Sequence, residues 1–320
     1  MRPPPALVCP RCRGVLDAAG AEISVNGCPQ CGAVFPVMHG VTALMAAPAE
    51  GTVEAWQKAI YDELAHPPYG GWRLGRAPDV TLTYWSHCRQ IAALCPAPGE
   101  VVLDVGCLGG QRLLEIAAAY DVTGVGIDLS TAAVRAARAA HHPRLRFHAA
   151  SAEAIPLPDA SVDVAIAMDV LEHTRTPLAV VKEVRRCLRP GGRFLAHVPV
   201  TDIEGTWDGW QASHDADAWR ARALAIGHDY RRMPSSHDLE TWFAAAGFRE
   251  VRVRRFNAWH QNRFDYHAVH RILNTLFFVW KLPMALYHDG LIHLTKVWYL
   301  LDLPRLRRGI GASVYVTGRC

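Results

Sequence analysis

The chain is short of lysine, of long apolar runs and of any block of positive charge. Only four of its 34 basic residues are lysine, and its formal net charge is +4. A dedicated nucleic-acid binder gathers its basic residues on one face or in a run, so nucleic acid is not the expected partner. No uninterrupted apolar stretch reaches the ~18 residues of a membrane span, and the opening MRPPPALVCP has no apolar signal region. The expected compartment is a reducing cytoplasm, with any membrane contact peripheral. In that setting the nine cysteines do not read as disulfides and need another reason.

Four of them have one. Cys9-Pro-Arg-Cys12 and Cys28-Pro-Gln-Cys31 are two C-x2-C pairs separated by fifteen residues. Each pair forms a tight knuckle pointing two thiolates at one centre, and two knuckles complete a tetrahedron around Zn2+. Four thiolates leave no open coordination position, so this zinc would be structural. Cys88, Cys95, Cys107, Cys187 and Cys320 lack such spacing and read as ordinary thiols.

The stretch that organises the rest is Val101-Val102-Leu103-Asp104-Val105-Gly106-Cys107-Leu108-Gly109-Gly110. A short apolar run predicts a buried strand, and Gln111 to Tyr120 predicts a helix after a glycine turn. Glycines let the backbone bend sharply and approach a ligand with no Cβ in the way. A second strand, Val122 to Ile127, ends in Asp128, an acid placed to accept hydrogen bonds from ribose hydroxyls. Together these specify a nucleoside cofactor without naming it.

Asp104-x-Gly106-x-x-x-Gly110 is followed by Gly126-Ile127-Asp128-Leu129-Ser130, Ala152-Glu153-Ala154-Ile155-Pro156 and Ser161-Val162-Asp163-Val164. Asp169-Val170-Leu171-Glu172-His173 and Leu188-Arg189-Pro190-Gly191-Gly192-Arg193 complete the series. In this order the motifs resemble the class I S-adenosylmethionine-dependent methyltransferases. The resemblance implies an α/β fold, a seven-stranded Rossmann-like sheet with helices on both faces and its last strand antiparallel. It implies S-adenosylmethionine as cofactor, held by Asp104, Gly106, Cys107, Gly110, Asp128, Leu129, Ser151, Ala152, Glu153 and Asp169. Leu108 stands where the family often has a middle glycine, and Ser151 where an aspartate commonly meets the adenine amino group. The segment Cys31 to Met45 resembles the end of Trm112-like zinc ribbons, known as methyltransferase activators and as small domains fused to bacterial methyltransferases.

The domains read as a zinc ribbon over 1–46, a linker with N-terminal helices over the cofactor at 47–100, and the methyltransferase domain at 101–320. Two insertions set the substrate side. Residues 201–233 carry Trp207, Trp210, Trp219, His214, His228 and Tyr230. Residues 257–311 carry Val269, Ile272, Leu273, Leu276, Phe277 and Trp280 at the spacing of one helical face, then Leu291, Leu294, Trp298 and Leu301. Such faces suit a lid, a homodimer surface or a helical hairpin in a membrane interface.

A sulfonium methyl carbon is already an electrophile, so the protein must align a nucleophile and exclude water. If the nucleophile is a hydroxyl, a base removes its proton, and His173, His214 and His228 are the candidates. The Asp169-x-x-Glu172-His173 run is similar to one associated with a divalent metal in ubiquinone-pathway O-methyltransferases. The expected function is methyl transfer to a small or lipid-linked acceptor at a hydroxyl oxygen. The alternatives are an RNA base methyltransferase and a non-catalytic partner protein.

Overall fold

The structure is a computed structural model that describes residues 2–17, 27–45, 55, 58–59, 82–94, 96–225, 228–267 and 284–320. Most of the expected linker and N-terminal helices at 47–100, including 60–81, and the apolar face that includes Phe277 and Trp280 lie outside the described residues.

Apolar, β-branched runs bounded by turns fold into the strands of one sheet. These are β5 (Val101–Val105), β6 (Thr123–Asp128), β7 (Leu145–Ala150), β8 (Val162–Met168), β9 (Leu188–Pro199), β10 (Arg249–Phe256) and β11 (Ser313–Arg319). Their order across the sheet is β10-β11-β9-β8-β5-β6-β7, with β11 antiparallel to both neighbours and the rest parallel. The seven-stranded Rossmann-like sheet is thus present with its antiparallel last strand. The order reverses between β5 and β8, the kind of switch point beyond which ligands bind in open α/β sheets.

Two more strands extend the sheet. Beyond β1 (Leu7–Val8) and β2 (Val15–Asp17), which pair with each other, the N-terminal segment forms β3 (Val37–Met38) and β4 (Val41–Leu44). Strand β4 runs parallel to β7, with Ala43 opposite Ala149 and Leu44 opposite Ala150. Leu7, Cys9, Leu16, Cys28 and Phe35 share one apolar core with Val101, Ile155 and Leu157. Val8 donates its amide to Pro156 at 3.0 Å, and Arg13 reaches both the Ile155 carbonyl and the Glu183 carboxylate. The cysteine-bearing segment is therefore welded to the sheet edge.

Helices cover both faces: α1 (Leu82–Ala93), α2 (Gln111–Tyr120), α3 (Thr131–Arg138) and α4 (Pro177–Cys187). Ser130 caps α3 by accepting the Ala133 amide at 3.0 Å, as its sequence position predicts. Pro190-Gly191-Gly192 does not simply end the helix before β9. Instead β9 starts at Leu188, and its register against β8 moves from Val162↔Leu188 to Val164↔Arg193. Gly191, at φ +78°, gives that bulge its left-handed step.

The insertions fold as α5 (Trp207–His214) and α6 (Ala216–Ala225), then α8 (His260–His267) and α9 (Met284–Arg307), with α7 (Ser236–Ala245) between them. Asp302 of α9 is fully buried and accepts the amides of Trp259, His260 and Gln261 at 2.8–3.1 Å. It caps α8 from a neighbouring helix and locks the second insertion to itself. No helix of the described residues is long and apolar enough to cross a membrane.

Candidate active site

The turn after β5 fits its glycines for stated reasons. Gly106 sits at φ +72°, and a Cβ there would lie 2.4 Å from Val170 Cγ2. Gly110, at φ +76°, would meet the Phe147 ring at 2.7 Å. Leu108 also adopts a left-handed backbone, φ +45°, which costs a non-glycine residue about 1–2 kcal/mol. Its amide is fixed by Asp128, whose Oδ2 accepts it at 2.8 Å while Oδ1 accepts the Ser130 amide at 2.8 Å. Asp128 so ties the glycine turn to the tip of β6.

The other residues expected to contact the cofactor sit in varied surroundings. Cys107 is buried, its thiol pushed well above its ordinary pKa by burial and then by Asp128 and Asp104, which makes it a packed and inert thiol. Leu129 lies half-buried beside the apolar cluster that also holds Cys107. Ser151 accepts the Glu153 amide at 3.2 Å, capping a short turn over Ala152–Ala154. Glu153 itself is turned to the Thr176 amide, at 2.8 Å, ahead of α4. Asp104 is 2% exposed, and its Oδ2 has no hydrogen-bond partner among the described residues. Burial pushes its pKa up to about 7, against the pull of Arg112.

Two clusters of carboxylates and imidazoles follow β8. Asp169, with φ +58°, accepts a hydrogen bond from His197 Nδ1 at 2.6 Å and faces His87 Nε2 at 3.6 Å. His197 Nε2 is 2.9 Å from the Ser313 hydroxyl, and His87 Nδ1 is 3.1 Å from the Tyr315 hydroxyl. Burial would raise the Asp169 pKa, but the two imidazoles hold it well below the carboxylate range. Burial lowers that of His87 to about 3, so its ring is neutral.

The second cluster is unlike the first. Glu172 is buried, and neither of its carboxyl oxygens has a hydrogen-bond partner among the described residues. His173 Nε2 and His228 Nε2 each stand 3.9 Å from Glu172 Oε1, and the two rings are 5.1 Å apart. Burial, then the charge of Asp169, drives the Glu172 pKa well up. Burial lowers that of His228. The ligand atoms of Glu172, His173 and His228 lie within 4.8 Å of one another, as do those of His87, Asp169 and His197. Either set is compact enough for one cation, but Asp169 does not join Glu172 and His173 in a single centre.

The structure brings His173 and His228 together and leaves His214 apart. His214 is exposed, stacks on Trp210 at 4.1 Å and bonds the Trp210 carbonyl through Nδ1 at 2.8 Å. His87 and His197 escaped the sequence reading because no local motif marks them. The available signal was a polar residue at a buried position of an apolar strand, Leu195-Ala196-His197-Val198.

At the N-terminus Cys9, Cys12, Cys28 and Cys31 place their sulfurs within 4.8 Å of one another. Cys9–Cys31 and Cys12–Cys28 are 3.8 and 3.6 Å apart, against about 3.8 Å between sulfurs around a tetrahedral zinc. The donor set fits Zn2+ and has no room for a fifth role.

A family profile described as methyltransferase domain matches residues 103–196, the span from β5 into β9. A ubiquinone/menaquinone biosynthesis C-methyltransferase of Rubrivivax gelatinosus is 30% identical over 193 residues, which cover 57% of this chain and 73% of that protein. The chain belongs to the class I S-adenosylmethionine-dependent methyltransferases. An O-methyltransferase of Pyrenophora dematioidea is 36% identical over 164 residues, 49% of this methyltransferase and 57% of the relative. Two further curated relatives are spanned for only 34% and 41% of their length. Among solved structures, a chain from the complex between the Haloferax volcanii Trm112 methyltransferase activator and a putative methyltransferase aligns with TM-score 0.51 and 17% identity. It covers 86% of this methyltransferase and 99% of that chain, a likeness of fold alone. The matched region holds the glycine turn and Asp104, whose Oδ2 has no hydrogen-bond partner among the described residues.

Proposed function

We propose that the enzyme methylates a hydroxyl oxygen of a small or lipid-linked acceptor presented to the edge formed by Glu172, His173 and His228. The observation that carries this reading is the Glu172 carboxyl group, buried with both oxygens unpartnered between two imidazoles. An unsatisfied buried carboxyl costs at least about 1–3 kcal/mol, and such costs are retained mainly where function uses them. A hydroxyl entering this edge would give Glu172 its missing hydrogen bond. His228 is neutral near pH 7 and can take the proton as the oxygen attacks. The bound cofactor supplies an electrophilic methyl carbon. His228, with Glu172 and His173 beside it, would hold the acceptor hydroxyl and take its proton.

On the cofactor side, Asp128 would accept the ribose hydroxyls. Gly106, Cys107 and Gly110 would lie under the nucleoside, with Leu129, Ser151 and Ala152 along the adenine. Asp169, clamped by His87 and His197, would form the wall between cofactor and acceptor. Cys9, Cys12, Cys28 and Cys31 would hold one structural zinc that fixes β4 against β7. On α9, Val297, Leu300 and Leu301 are exposed at i, i+3 and i+4, an apolar stripe that supports a lipid-linked acceptor or its membrane surface. The test is substitution of His228 by alanine. Methyl transfer should fall while S-adenosylmethionine affinity stays. Unchanged turnover would remove the cluster from the reaction.

A further inference from the structure

From Arg138 to His148 the chain reads Arg-Ala-Ala-His-His-Pro-Arg-Leu-Arg-Phe-His, three arginines and three histidines with no acid. In the fold this run is the end of α3, a turn, and the first half of β7. The turn closes on itself. His141 takes a left-handed step at φ +46°, and the Leu145 amide donates to the His142 carbonyl at 3.3 Å. On its outer side β7 meets β4 only at Ala149 and Ala150. Among the described residues, Leu145 to His148 therefore have no strand beside them there. A cavity of about 390 Å³ opens at this place, a volume within the range of small-molecule pockets.

The walls of the cavity are of one electrical sign. Arg138, His141, His142, Arg146 and His148 line it, and no carboxylate stands among its described walls. The Arg138 Nε donates to the Phe147 carbonyl at 2.9 Å, and Arg146 Nη1 to the Pro143 and Leu145 carbonyls at 3.1 and 2.9 Å. Neutral carbonyls orient these guanidinium groups without cancelling their charge. Arg144, by contrast, turns to Asp121 and does not line the cavity. The negative end of α3 accounts for a cation at Arg138. It does not account for Arg146 and His148, which come from the strand, or for the imidazoles on the turn. His148 is only 3% exposed, at a strand position that packing alone would fill with an apolar side chain.

We propose that this cavity is a second ligand site, separate from the methyl-transfer edge, for a phosphate monoester with a small apolar body. A cleft lined by one sign of charge concentrates the opposite ion. Guanidinium forks match the oxygens of a phosphoryl group, and imidazoles add N–H donors. Leu145 and Phe147 give the cavity an apolar side for the body of the ester. The site stands on the first half of β7, whereas the glycine turn and Asp128 lie at the far ends of β5 and β6.

Titration calorimetry on the zinc-loaded full chain can read this at constant ionic strength, with S-adenosylhomocysteine saturating. Phenyl phosphate should bind at one site per chain, and inorganic phosphate more weakly. Arg146→Gln should weaken phenyl phosphate by about tenfold or more, the loss of one charge-assisted hydrogen bond. His141→Gln, on the exposed turn, should weaken it by about two- to tenfold. Both variants should keep the melting temperature and the S-adenosylhomocysteine affinity of the wild type. Should Arg146→Gln melt earlier, His141→Gln decides alone. No binding of phenyl phosphate by the wild type, or undiminished binding by the folded variants, would overturn the site. Phenyl phosphate that binds only when S-adenosylhomocysteine is absent would move it to the cofactor turn and overturn it as well. Inorganic phosphate binding as tightly as phenyl phosphate would overturn the ester.

Discussion

The two carboxylate–imidazole clusters beyond β8 stand three residues apart in sequence and are opposite in character. Asp169 has an imidazole on each side, and those imidazoles are themselves anchored by Ser313 and Tyr315. Glu172 has two imidazoles nearby and bonds to neither. A network in which every member has a partner rigidifies a fold, whereas a half-satisfied one is a liability that folding alone would not keep. The difference supports the proposed division, with Asp169 in the wall and Glu172 at the acceptor edge.

The largest effect should separate them by activity. His228→Ala or Glu172→Gln should lower the rate of methyl transfer by about a hundred- to ten-thousandfold, the usual range for losing a proton acceptor. Titration calorimetry should show S-adenosylmethionine affinity unchanged in both. Stability should move in the other direction. Denaturant unfolding should show Glu172→Gln unchanged or more stable by about 1 kcal/mol, because a buried orphan acid is removed. His197→Ala strips partners from Asp169 and Ser313 and should cost about 2–4 kcal/mol.

The pH dependence of stability sharpens the contrast through its sign. Glu172 has a raised folded pKa, so between its ordinary value and the raised one the native state holds a proton that the unfolded state has released. Stability from this group is therefore full below about 4.5 and falls as pH rises through the folded pKa. His87 is depressed from 6.5 to about 3, so its contribution is lost as pH falls through that window. Asp169 adds a loss at still lower pH, below its ordinary 3.8. Unfolding free energies from pH 3 to 8 should lose their decline toward high pH in Glu172→Gln, and part of their acid limb in His87→Phe.

The cysteine segment offers the next effect. Cys28→Ser should abolish bound zinc in elemental analysis. Because β4 belongs to the main sheet, it should destabilise the whole chain by more than about 3 kcal/mol and not only a detached ribbon. The smallest effect should be at His214, where alanine should leave turnover within about twofold.

Much of the cofactor half was legible in the sequence. The strand, glycine turn, helix and Asp128 are local features, and so is Ser130 as a cap, because each depends on neighbours within a few residues. What was not legible depends on contacts distant in sequence. Val41–Leu44 carries no sign that it will pair with Ala149 and Ala150. His87 and His197 acquire meaning only when α1 and β9 converge on Asp169. Arg138, Arg146 and His148 look like ordinary polar residues until the turn after α3 gathers them around one cavity. The acceptor side was least legible. Its histidines could be named, but only the fold shows that His228 crosses to Glu172 while His214 stays on Trp210.

The central claim is that the Glu172–His173–His228 edge activates a hydroxyl for methyl transfer. It is tested most directly by incubating the enzyme with small-molecule, lipid and RNA fractions of a cell extract and S-adenosylmethionine labelled with 13C in its methyl group. Carbon NMR and mass spectrometry of the products would then locate the label. The account expects a methoxy carbon in the small-molecule or lipid fraction, absent when His228→Ala replaces the wild type. Label on nitrogen or carbon, label confined to RNA, or an undiminished methoxy signal from His228→Ala would contradict it.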